Sequence, residues 1–289
     1  MELILNKQFF SNRSLCLLVF FIFISTIIIY SNKNNIFKYK LNKTLNKTSR
    51  YPYIALIVDD RANQLVINAV NNVLEHIPID WKVQIMTLYE HWSYYNKSSL
   101  NQYIKSDRVL LTRLNQSSNG LSSDEYINSI LTSSSFWHQI YGDKVLLFQI
   151  DSVLCSNSSY NLTNFLQYDF IGAPWYLGGC CNGGLSLRNR LKILELIESN
   201  KYHYRLHGIN EDGWFTEHLS YVNGYVAPVS IAKKFSVETI YHPRPFAVHK
   251  PHINTIGLNN MNHLCNECPE VRMIVSYCEK NMKNINTTS

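Results

Sequence analysis

Charge is scarce in this chain: 17% of its 289 residues are charged, against 46% hydrophobic. That balance excludes a disordered tail and leaves ample material for a core. The formal net charge of +6 is scattered along the chain, with no dense basic block. A nucleic-acid-binding surface would need a basic stripe or a reading module, and neither is present, so no nucleic-acid partner is expected. Internal repeats are missing as well, which excludes a solenoid. Cys265-Asn-Glu-Cys268 has no second cysteine pair at zinc-ribbon distance, which argues against a structural zinc site.

One long hydrophobic run does exist. Ser14 to Tyr30 is uncharged over seventeen residues and is flanked by Arg13 and Lys33. At about 1.5 Å per residue this is close to the minimum that crosses a hydrocarbon core of about 30 Å. No small-x-small cleavage site follows it, so an uncleaved signal anchor is expected in preference to a signal peptide. Residues 1–13 would then be a short cytoplasmic tail, 31–50 a polar stem rich in Asn and Lys, and 51–289 the folded domain.

Orientation is contested by the basic residues, because Lys33, Lys38, Lys40, Lys43, Lys47 and Arg50 outnumber Lys7 and Arg13. Long domains nevertheless translocate largely regardless of flanking charge. Glycosylation triplets begin at Asn42, Asn46, Asn96, Asn115, Asn157, Asn161 and Asn286, all beyond the apolar run. Cys155, Cys180, Cys181, Cys265, Cys268 and Cys278 form an even set able to make three bridges in an oxidising lumen, in a pairing the sequence leaves open. A single-pass type II protein with a luminal domain is expected, in the Golgi or endoplasmic reticulum.

From Tyr51 the pattern alternates between strands and helices. Tyr53 to Val58, Trp81 to Thr87, Val109 to Thr112 and Val145 to Ile150 read as strands, the last an apolar run suited to a sheet covered on both faces. Ala62 to Ile77, Ser123 to Ile140 and Leu191 to Ile197 have helical spacing. The expected fold is a doubly wound, mostly parallel α/β sheet with helices on both faces. The acidic pair after the first strand also suggests a phosphoacceptor receiver domain, but Asp151 falls too late for the acceptor and no later Lys ends a strand.

Four islands then recur in order: LLFQIDSVLC from Leu146, YDFIGAPW from Tyr168 with NGGLSLRNR from Asn182, NEDGWF from Asn210, and FAVHK from Phe246. Each joins a strand-like run or a glycine turn to one or two polar groups. Together with Asp59, Asp60, Arg61 and Phe136-Trp137, they resemble the DUF5672 family, whose members are thought to adopt the glycosyltransferase GT-A fold. The resemblance covers about Tyr53 to His252. It implies a fold and a reaction class, sugar transfer from a nucleotide-sugar donor, but neither the sugar nor the acceptor; a UDP-sugar donor and a hydroxyl of a glycan or glycoprotein are the expected pair. The rival is a non-catalytic carbohydrate-binding or assembly protein on a degenerate GT-A scaffold.

On that resemblance Asp151 stands where GT-A enzymes place a DxD motif, although the sequence there runs Asp-Ser-Val and lacks the second acid. Asp151 and His249 are the expected ligands of a divalent cation, Mn2+ or Mg2+, which would neutralise the leaving diphosphate. Asn182, Gly183 and Gly184 would bring backbone close to the sugars, and Lys250 would meet the diphosphate as a point charge. Asp59, Asp60 and Arg61 would lie against the nucleotide. Asp212, ahead of Glu211, is the expected general base if the transferase inverts. Plainer readings stand beside these: a turn at Asp151, a tight glycine turn, a helix cap at Glu211 and Asp212, and a structural His249.

Overall fold

The computed structural model describes residues 51–115, 122–199 and 209–278. The expected anchor, stem and C-terminal glycosylation triplet lie outside them. Among the described residues, no helix is long and apolar enough to cross a membrane.

Four strands form the parallel part of the main sheet: β1 (Tyr51–Val58), β2 (Lys82–Thr87), β3 (Val109–Arg113) and β4 (Gly142–Phe148). After β5 (Ser152–Leu154), the sheet is completed by β6 (Phe170–Gly172) and by β7 (Leu185–Asn189), which runs antiparallel to both β4 and β6. The order is β3-β2-β1-β4-β7-β6. Ile54, Ala55, Leu56 and Ile57 of β1 are buried in succession, so both faces of the sheet are covered. The chain winds outward from β1 through β2 and β3, then crosses back to β4. The gap between the ends of β1 and β4 is therefore the switch point, where open α/β sheets carry ligands.

The first helix spans Gln64–His76, two residues shorter at its start than its apolar spacing predicts. Asn63 sets that boundary, because its side-chain oxygen accepts the Leu65 backbone N–H at 2.9 Å. Leu65 at the helix start is 46% exposed, while Ile67 is buried. Buried Asn72 on this helix exchanges two hydrogen bonds with the Leu154 backbone, at 3.1 and 2.8 Å, and so fixes β5 in place.

The single helix expected over residues 123–140 is two helices, Ser123–Leu131 and Ser134–Trp137. Thr132 turns its hydroxyl back onto the Asn128 carbonyl at 2.6 Å, and Ser133 adopts extended backbone. Such local side-chain bonds compete with helix continuation.

A small second sheet has the order β5-β9-β8, with β8 at Ser236–Val237 and β9 at Ala247–His249. Val153, Val237 and Val248 from it pack against Met261, Leu264 and Val271. Cys155–Cys268 bridges β5's end to this C-terminal layer, Cys265–Cys278 closes it, and Cys180–Cys181 is a bridge between neighbours. Glu270 lies close to the sulfurs of Cys155 and Cys268, but those sulfurs are bonded to each other.

Candidate active site

β4 ends at Phe148, and the chain turns sharply over Gln149 to Ser152, with the Ser152 N–H donating to the Gln149 carbonyl at 3.1 Å. Asp151 therefore does not follow the strand directly, as its expected extent to Ile150 implies. It sits inside the turn, and Gln149 two residues before it faces the same place. The motif reads Gln149-Ile150-Asp151, an amide ahead of an acid, and the partner that Asp-Ser-Val lacks downstream lies upstream.

The pairing of β5 with β9 sets His249 opposite Ser152, and the Lys250 N–H donates to the Asp151 carbonyl at 2.9 Å. His249 Nε2 is thereby 3.5 Å from Asp151 Oδ1 and 3.3 Å from Gln149 Oε1. On the other side of the ring, Nδ1 lies 3.6 Å from Glu238 Oε1. The two carboxylate contacts are ion-pair distances without aligned hydrogen bonds, and Asp151 Oδ1, His249 Nδ1 and Glu238 Oε2 are buried without hydrogen-bond partners.

Burial disfavours a charged His249, yet the facing Asp151 and Glu238 carboxylates outweigh it and hold the imidazole up at about 9. Burial likewise opposes ionisation of Asp151, but His249 and then Lys250 hold its carboxyl below the ordinary value. The pocket thus favours positive charge between oxygen ligands, and an amide oxygen, a carboxylate and an imidazole fit a divalent cation.

Gly183 and Gly184 lie against Glu211 and His249. A Cβ on Gly184 would fall 2.3 Å from His249 Nε2, and one on Gly183 2.4 Å from Glu211 Oε1. Both positions need glycine for close approach. Asn182 locks the turn, accepting the Gly184 N–H at 2.9 Å and donating to Glu238 Oε1 at 3.3 Å.

Behind the glycines lies the helix Glu211–His218. Glu211 is corrected here as a candidate base: Arg188 donates to both its oxygens, at 2.9 and 3.0 Å, and both side chains are buried. Its carboxylate is committed to a structural pair. Nor is either acid the helix cap, which is Asn210. Asp212 stays partly exposed, and its Oδ2 accepts the Gly183 N–H at 3.0 Å. Asp212 and His249 therefore flank one glycine pair from opposite sides.

A cleft of about 300 Å³ opens at the switch point, lined by Asp59, Asp60, Arg61, Tyr126, Gln149 and Asp151, among others. Arg61 engages both Asp59 oxygens at 2.9 Å while its own side chain remains 63% exposed. Burial, then the charges of Asp60 and Asp59, push the Tyr126 phenol up, so it stays a hydrogen-bond donor. Lys250 is exposed and does not line this cleft; its charge reaches the site through Asp151.

Gln149, Glu238, Tyr126 and Arg188 are the site residues that the sequence reading misses as such. Arg188 sits within the phrase NGGLSLRNR and Gln149 within the apolar run of LLFQIDSVLC, whereas Glu238 follows a two-residue strand outside the phrases.

Residues 109–249 match the family described as "Protein of unknown function (DUF5672)", from β3 to the residue that ends β9. β1 and the Asp59-Arg61 segment lie outside the matched span. A search of curated proteins gives no match. Among solved structures, the chain is similar to the apo-form glycosyltransferase GlyE of Streptococcus pneumoniae TIGR4, at 14% identity and a TM-score of 0.43, covering 70% of this chain and 55% of that one. It is also similar to the mannosyltransferase PcManGT of Pyrobaculum calidifontis in complex with GDP-Man and Mn2+, at 11% identity and a TM-score of 0.43, covering 67% and 61%. The galactosyltransferase LgtC, in complex with donor and acceptor sugar analogs, is similar at 12% identity and a TM-score of 0.47, covering 74% and 95%. This chain thus spans 55% and 61% of the length of the first two. The chain's own architecture is mixed α/β with a parallel-rich sheet. The site's chemistry is read from its own residues.

Proposed function

We propose that this protein is a glycosyltransferase that moves a sugar from a UDP-sugar to a hydroxyl of a glycan or glycoprotein, with Mn2+ or Mg2+ as cofactor. The observation that carries the reading is the meeting of Asp151, His249 and Asp212 around Gly183-Gly184, beside the cleft at the switch point. Asp151 and His249 would hold the cation, and Gln149 adds a neutral oxygen. A cation held there would neutralise charge on the departing diphosphate.

The remaining steps belong to the chain. Asp59, Asp60 and Arg61 line the space for the nucleotide, and the charge of Lys250, outside that lining, acts on Asp151. The bare backbone at Gly183 and Gly184 leaves room for the sugar to approach beside His249 and Gln149. Asp212, oriented by the Gly183 N–H, takes the acceptor proton as the hydroxyl oxygen attacks the anomeric carbon.

Thermal unfolding tests the donor and cofactor together. UDP at a hundred times its Kd should stabilise the protein by about 2.7 kcal/mol, and Mn2+ should tighten that binding. Asp151→Ala and His249→Ala should each abolish the metal-dependent part, and the double variant should be little worse, since groups acting as a unit are not additive. No response to any nucleoside diphosphate would favour a binding protein on the same scaffold.

We also propose a luminal domain behind the Ser14–Tyr30 anchor, in the Golgi or endoplasmic reticulum. The three disulfides support an oxidising compartment, and Asn96 and Asn157 are exposed as acceptor sites must be. Protection of the domain from protease in sealed microsomes is the expected result, and digestion there would oppose it.

A further inference from the structure

We propose that Glu238 is the positioning carboxylate of the cation site: it accepts the Nδ1–H of His249 and so commits Nε2, together with the Gln149 amide oxygen and Asp151, to the metal. The inference rests on the cation site of the transferase reading but not on sugar transfer.

The two sides of the His249 ring are unequal. Nε2 faces Gln149 and Asp151, both of which line the cleft. Nδ1 faces Glu238, which does not line it and whose side chain is 14% exposed against 35% for Asp151. Asp151 is thus placed to share a cation with Nε2 and solvent, whereas Glu238 closes the back of the ring. Gly184 keeps the Nε2 side clear, since a Cβ there would also come within 2.7 Å of Gln149 Oε1.

Glu238 is held for this task. Asn182 donates to its Oε1 at 3.3 Å and is itself fixed by the Gly184 N–H. The 3.6 Å from Glu238 Oε1 to Nδ1 needs a closure of about 0.6 Å to become a hydrogen bond. A cation on Nε2 would make the Nδ1 proton a stronger donor and favour that closure. Histidine ligands are regularly oriented in this way by a carboxylate behind the ring.

Charge points the same way. With Gln149 in place of an acid, the three ligands carry one negative charge, and Glu238 adds a second without occupying a coordination position. An imidazole nitrogen with two oxygens suits Mn2+ better than Ca2+ or Mg2+.

The test titrates Mn2+ alone into the full chain in detergent, reading free Mn2+ by electron paramagnetic resonance and nitrogen coordination by pulsed measurements. Wild type should bind Mn2+ with a 14N coupling that His249→Ala removes. Glu238→Gln should weaken Mn2+ binding about 10–100-fold, with metal-free Tm unchanged and the coupling still visible at saturation. Should Glu238→Gln fail to fold, Asn182→Ala should weaken Mn2+ in the same direction. Wild-type affinity in the folded variant, or no 14N coupling in wild type, would overturn the proposal. Loss of Mn2+ affinity in Glu238→Gln without turnover of any nucleotide sugar by wild type would sink the transferase reading alone. Turnover with Mn2+ affinity untouched in Glu238→Gln would sink this proposal alone.

Discussion

Arg188→Ala should lower stability by about 3–5 kcal/mol, because it strands Glu211 as a buried charge without its counterion. The guanidinium donates to both Glu211 oxygens, to Ser186 Oγ and to the Gly183 carbonyl. It also lies 4.8 Å from the Phe170 ring centroid and 5.5 Å from that of Phe215. For a domain of this size the loss corresponds to a fall in Tm of about 6–20 °C. Replacing both partners by apolar residues of similar volume, as in Arg188→Met with Glu211→Leu, should recover much of it, since no unpaired charge remains. Calorimetry checks both variants. A single-variant loss under about 1 kcal/mol would mean that the pair is not buried, and Glu211 would return as a candidate base.

Asp212→Asn should act on turnover and spare the fold. The amide oxygen can still accept the Gly183 N–H, while the Gly213 N–H, held by the other carboxylate oxygen at 2.7 Å, loses its acceptor, and an amide cannot take a proton from a hydroxyl. Transfer should fall about 10²–10⁴-fold, the usual contribution of a general base, with UDP and Mn2+ affinities close to wild type. Steady-state kinetics with binding measured alongside separates the roles. Equal losses of transfer and nucleotide affinity would make Asp212 a binding residue, and unchanged transfer would leave it a backbone anchor for the glycine turn.

The two variants mark where sequence reading reaches and where it stops. β1 to β4 are legible because continuous apolar runs announce strands buried on both faces, and the switch point follows from their order. Asp151 and His249 are legible as a pair through their motif phrases, and the structure brings them within 3.5 Å. Glu211 and Asp212 are neighbours in the chain with the same chemistry, and nothing local separates them. Arg188, 23 residues away, does so by claiming one of them.

Gln149 and Glu238 were hidden for a similar reason. Their meaning depends on His249, which lies 100 residues from Gln149 and joins it only when β5 and β9 pair. Helix ends were lost to shorter-range effects: Asn63 and Thr132 redirect the backbone through their own side chains, which apolar periodicity does not register.

Release of nucleoside diphosphate from nucleotide sugars in water, with Mn2+ and no acceptor, tests the central claim most directly. The full chain should release UDP slowly from at least one UDP-sugar, and Asp151→Ala should abolish that release while remaining folded. A folded wild-type protein that binds UDP-sugars and Mn2+ but releases no diphosphate from any of them, with or without glycan acceptors, would contradict transferase function and leave a sugar-binding protein on this scaffold.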